Sequence, residues 1–211
     1  MAKQREQLDN DIETSEEYSL PVLHGNEVEV LPQNERLANM LQTVRDYIAQ
    51  EDWNCEERPR ADGGVTFSLS FRMTNGTQRV IIEVQGDGDR FQVYAYAPIL
   101  VREEHRVAVA VFSTYANYHM GVAHLEMDMR DGELRMLSSV DVEDSFISMR
   151  MINLMENATI IQMDQCMGSI LSIIYGGISP EQAFELFIEE REKKRNGSNT
   201  ETSESEPLVL H

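Results

Sequence analysis

Cysteine is scarce: the chain has two in 211 residues, Cys55 and Cys166, with no C-x-x-C spacing. That argues against a disulfide framework and a thiol-based zinc site, and points to a reducing compartment. Long apolar runs are missing too. No stretch approaches the roughly 20 residues needed to span a bilayer, and the opening segment MAKQREQLDNDIETSEE lacks the apolar centre of a secretory signal. The expectation is a soluble, cytoplasmic protein. Positive charge is in short supply as well: 18 Lys and Arg against 37 Asp and Glu give a net charge of −19. Such a surface repels phosphate backbones and anionic lipid, so neither nucleic acid nor membrane is an expected partner. Solubility is the plain consequence of this charge; attraction of basic or partly unfolded clients is the sharper one.

Motifs that carry chemistry are missing in the same way. Gly86-Asp87-Gly88-Asp89-Arg90-Phe91 begins like a phosphate-binding glycine loop, but Phe91 replaces the third glycine and no helix follows. The loop also lacks the oxygen spacing and bidentate Glu of an EF-hand. His119 and His124 bracket a helix-to-strand turn, yet no third ligand follows at metal spacing, and His124 alternates with Glu126 and Asp128 on a polar face. Glu56-Glu57 and Glu103-Glu104 pair carboxylates without the apolar setting that would raise a pKa for acid–base work. No G-x-S-x-G elbow is present, and Cys166 falls on an apolar helical face where an inert thiol is expected. No catalytic, cofactor-binding or metal-binding residue is assigned, and an enzyme is not expected.

What is there is patterning. Residues 1–31 are acidic and expected to be largely disordered, with 20–31 as a docking or edge-strand segment. After Pro32, Leu37, Leu41, Val44 and Ile48 make a helical stripe ending at Trp53, and 58–64 reads as a loop. Val65, Phe67, Leu69, Phe71 and Met73 alternate with polar residues as a half-buried strand, and Asn75-Gly76 signals a hairpin into 79–85. A turn at 86–89 leads to a third strand, 90–97, closed by Pro98. From Arg102 to His119 the period is helical, with Val107, Val111, Tyr115 and Tyr118 near one face and Ala108 and Phe112 beside them. Two strands follow, 122–129 and 133–142, joined at Asp131-Gly132, and then a mostly helical stretch from Glu143 to Ile174. Ser179-Pro180-Glu181-Gln182 caps a last helix carrying Ala183, Phe184, Phe187 and Ile188. Residues 191–211 read as a charged, disordered tail. The order α-βββ-α-ββ-α-α predicts an α+β domain over 32–190 with an antiparallel sheet of about five strands, one face covered by helices and the other partly open.

Three features suggest contact with another chain. Met149, Met151, Met155, Met163 and Met167 crowd one helix; thioethers fill irregular cores, but this many exceed what one helix face hides. Val22-Leu23 within PVLH and Leu208-Leu210 within PLVLH form two apolar peptides near the ends, either docking segments or a chance likeness. Tyr94, Tyr96 and Tyr115 are candidates to line a pocket under the sheet.

Several stretches together resemble the YbjN family, described as bacterial sensory transduction regulators, whose domain is similar to the class I type III secretion chaperones. They are Gln50-Glu51-Asp52-Trp53, the Thr66–Met73/Arg79–Gln85 hairpin, Tyr94-Ala95-Tyr96-Ala97-Pro98, Ala116-Asn117-Tyr118-His119-Met120-Gly121, Asp131-Gly132-Glu133-Leu134 and Gly176-Gly177-Ile178-Ser179-Pro180-Glu181-Gln182-Ala183. The resemblance covers about residues 35–190. It implies a sheet with helices on one side, frequent homodimers, and no active-site residues to carry over. It also implies an extended client held on sheet edges and apolar patches. The N-terminal extension and the charged tail depart from that pattern. Two functions stay open: a chaperone-like or regulatory protein-binding module, its dimer or client surface on the 102–119 helix or the Met-rich helix, and a sensor domain binding a small ligand.

Overall fold

The computed structural model describes residues 32–142 and 145–201. Within them the chain runs α1 (Gln33–Gln50), β1 (Glu56–Pro59), β2 (Val65–Met73), β3 (Gly76–Val84), β4 (Arg90–Leu100), α2 (Glu103–Tyr118), β5 (His124–Met127), β6 (Glu133–Asp141), α3 (Met149–Gly176) and α4 (Pro180–Glu201). The fold is α+β, and its sheet is antiparallel throughout, in the order β1-β2-β3-β4-β6-β5. It holds six strands where five were expected. The extra one, Glu56-Glu57-Arg58-Pro59, is exposed at every position and so carries no apolar alternation to betray it. It begins two residues before the expected loop.

Alternation builds the core. Phe67, Ile82 and Val93 lie opposite one another across β2, β3 and β4, as do Val84 and Phe91, all on one face and all buried. Fully burying each such side chain is worth roughly 1.5–3 kcal/mol. All four helices pack on that side. The longest, α3, runs unbroken for 28 residues, about 42 Å, and packs against α1, α2, α4, β4 and β6. Ser148 caps it by accepting from the Met151 N–H at 3.2 Å, and Gly177 ends it in the left-handed conformation at φ 65°. At α4 the expected capping box is formed: Ser179 Oγ accepts from the Gln182 N–H, and Gln182 Oε1 accepts from the Ser179 N–H. That helix continues to Glu201, past the expected boundary at 190.

Three turns depart from expectation. The first hairpin turns at Thr74-Asn75, one residue early, with Gly76 opening β3 at φ 130°. Asn75 instead ties the hairpin to α3: its backbone N–H donates to Asp164 Oδ1 at 3.2 Å and its side-chain amide to the Asp164 carbonyl at 3.1 Å. Pro98 does not close β4. The ladder to β6 shifts register between Tyr96 and Leu100, and the proline sits in that irregularity, where no ladder bond is required of it. The 86–89 loop seats the start of α1: Gly88, at φ 74°, lies so close to the Leu37 backbone that a side chain would clash, and Asp89 pairs with Arg36 at 2.7 Å.

Helix α2 holds the main surprise. Its buried residues are Val109, Phe112, Ser113 and Ala116, whereas Val107 and Tyr118 are 68% and 88% exposed. The stripe Val107, Val111, Tyr115, Tyr118 is the outward face, so α2 is apolar on two nearly opposite sides.

Candidate functional site

The face of the sheet turned away from the helices carries a ladder of arginines and tyrosines. Register places Arg79, Tyr96, Arg135 and Glu126 in one row across β3, β4, β6 and β5, and Ile81, Tyr94, Leu137 and His124 in the next. The Tyr94 and Tyr96 rings stack at 6.2 Å with 30° between planes. The Arg79 guanidinium lies 4.2 Å over Tyr96 and that of Arg135 4.8 Å over Tyr94. Arg135 also pairs with Glu126 at 3.0 Å, and Glu83 with Arg60 at 2.7 Å. Burial opposes the charge on Arg135, but its bonds to Glu126 and Tyr96 hold its pKa above the ordinary value. Burial, then the Glu83 carboxylate, pushes Tyr94 up. Tyr94 and Ile81 are as buried as core residues although no described helix crosses this face, and Arg135 lies over the Tyr94 ring. Beside this ladder Arg79, Tyr96, Pro98 and Leu100 line a 250 Å³ depression, with Leu100 64% exposed.

The sheet edges differ in how they are guarded. Strand β1 is four residues long, ends in proline and bears Glu57, which pairs with Arg45; β5 also has four residues. Short, charged, proline-bearing edges resist pairing with another chain. But β1 covers only Val65–Ser68 of β2, and the remainder, Leu69–Met73, has no strand neighbour on its outer side among the described residues. A two-residue turn makes Met73 and Gly76 a hydrogen-bonded pair, so alternation directs the backbone groups of Ser70 and Arg72 away from β3. The side chains of both are exposed.

The expected site residues do not converge. Tyr94 and Tyr96 come together on the open face. Tyr115 lies on the opposite side of the sheet, its ring 5.5 Å from Phe184 of α4, so no pocket joins the three. Met155, Met163 and Met167 are core, and Met149 and Met151 are half-buried against it. The surplus methionine is filler, and α3 presents Leu154, Ile161 and Tyr175 outward instead. Val22, Leu23, Leu208 and Leu210 lie outside the described residues.

One carboxylate outside the Glu56-Glu57 and Glu103-Glu104 pairs does sit in an apolar setting. Glu156 of α3 is 2% exposed, and burial raises its pKa to about 7. Its nearest polar neighbour is the Tyr47 hydroxyl, 3.5 Å away, which accepts from Asn153 Nδ2 at 3.2 Å; burial pushes Tyr47 to about 12. Glu156 is not in the lining of the clefts at His119, Met40, Asp128 or Tyr96. The sequence gives no signal for this group beyond its place at i, i+3 and i+4 with Ile152, Asn153 and Thr159 on a helix.

Among the described residues no three His, Cys, Asp or Glu side chains cluster as a metal site, and no helix is long and apolar enough to cross a membrane. Both cysteines are free thiols. The largest cleft, 720 Å³, opens between the end of α2, α3 and α4, away from the sheet. No family model matches the chain, and no curated protein is significantly similar to it.

Proposed function

We propose that the chain is a non-enzymatic, cytoplasmic protein-binding module, a chaperone-like or regulatory adaptor that takes an extended partner segment along the outer edge of β2. The observation that carries this reading is the unguarded half of that strand. Adding a strand at Leu69–Met73 satisfies the outward backbone groups of Ser70 and Arg72, the recognition mode known as β-augmentation. The depression at Tyr96, Pro98 and Leu100 on the adjoining face offers an apolar hold for a side chain. The resemblance to the YbjN family and to type III secretion chaperones supports the same mode, and so does a net charge of −19, which favours basic clients.

The module acts as a homodimer in this proposal, through the exposed stripe of α2. Val107, Tyr115 and Tyr118 lie on one face of α2, each at least 39% exposed. Such a strip is costly to leave in water and is the kind of surface oligomers cover. Light scattering tests it: wild-type chain is expected at twice the monomer mass, and the double substitution Val107→Asp, Tyr118→Asp at the monomer mass. A wild-type monomer at micromolar concentration ends the dimer proposal.

The binding mode is tested separately by capture from native lysate with wild type and Ser70→Pro. Proline removes the outward N–H without touching the β3 ladder. A protein recovered by the wild type and lost by a folded Ser70→Pro chain supports the edge; equal recovery by both rejects it.

A further inference from the structure

We propose that the cleft between α2, α3 and α4 is a binding site for a small organic anion with an apolar body, of the class of aromatic or branched carboxylates. His119 from the end of α2, Gln165 from α3, and Phe184, Ile188, Arg191 and Arg195 from α4 line it, together with one acid, Glu192. Among the described residues the lining carries two arginines, of which Arg195 already has a partner, against one carboxylate, in a molecule with 37 acids and 18 bases. The 720 Å³ volume is in the range of small-molecule sites.

Arg191 supplies the decisive feature. Its guanidinium lies 5.2 Å over the Phe187 ring, one turn earlier on the same helix. There its Nη1 is buried with no hydrogen-bond acceptor among the described residues. Leaving a buried donor unmade costs about 1–3 kcal/mol, and more for a charged one. Nη1 itself is closed to solvent, so an anion in the cleft reaches it as the Arg191 side chain, which lines that cleft, turns outward; the planar guanidinium fork then suits a carboxylate. The apolar body has a place as well. The His119 ring lies 5.2 Å from Phe184, and both line the cleft with Ile188, so an aromatic and aliphatic wall faces the same space. A bare inorganic anion would satisfy Arg191 but leave this wall in water.

The site lies on the helical side of the sheet and does not depend on the β2 edge. The test uses the full chain titrated with phenylacetate, its neutral isostere phenylacetamide, and inorganic phosphate, read by calorimetry and by the His119 ring signals in NMR. Saturable binding of phenylacetate is expected, at least about tenfold tighter than that of the other two probes, and lost in Arg191→Met. Arg191→Lys, which keeps charge and stem, is expected to bind several-fold more weakly than wild type, and carries the comparison if Arg191→Met does not fold. No saturation by phenylacetate up to about 10 mM, equal binding of the neutral probe, or unchanged affinity in a folded Arg191 variant overturns the proposal.

Discussion

The two faces of this sheet are made by the same strands and solved differently. On the helical face Phe67, Ile82, Phe91 and Val93 are completed by other elements, and each is at most 1% exposed. On the open face Arg79, Tyr94, Tyr96, Arg135 and Glu126 complete one another. The first face is held by burial, which tolerates no gap. The second is held by ring–guanidinium contacts and ion pairs, each worth far less at a solvated surface. The sheet should therefore fail from its helical side and adapt on its open side.

The largest expected effect is on the helical face. Phe91→Ala should cost about 3–5 kcal/mol in urea unfolding, and a cost below about 1 kcal/mol would mean that the core sits elsewhere. Next comes Glu156, whose folded pKa of about 7 lies above the ordinary carboxyl range. Its protonated form is the one the fold favours. The associated stability is full below about pH 4.5 and lost as the pH rises through 7, on the order of 2 kcal/mol. The wild type should weaken over that window relative to Glu156→Gln; parallel curves would show Glu156 to be hydrated. The smallest effect belongs to the open face. A double-mutant cycle between Tyr94 and Arg135 should return about 0.5–1 kcal/mol of coupling, and a value near that of a core pair would erase the distinction between the faces.

Much of the fold is legible in the residues because period-two alternation in β2 and the turn signals at 86–89 and Asp131-Gly132 mark the strands, and the capping box at Ser179–Gln182 marks its helix. Strand β1 is not, because an edge strand exposed at every position has nothing to alternate. The turn at Thr74-Asn75 was displaced because Asn75 also serves Asp164, 89 positions away, a tertiary bond that local chemistry does not announce. Helix α2 defeats stripe-reading altogether, since it is apolar on both sides and only the packing of Phe112 against Phe187 at 6.0 Å decides which is inside. The candidate site was least legible. Tyr94 and Tyr96 stand out as aromatic residues of the third strand, but their partners Arg79 and Arg135 follow only from strand register. Arg191 falls in a segment whose charge reads as a disordered tail.

The central claim is that the bare half of β2 is where another chain is received. Backbone hydrogen–deuterium exchange on the complex with a captured partner tests it most directly. Slowed exchange at Ser70 and Arg72, with Thr66 and Ser68 under β1 unchanged, is the predicted result. Exchange at Ser70 and Arg72 as fast as in the free chain, while the partner remains bound, contradicts it.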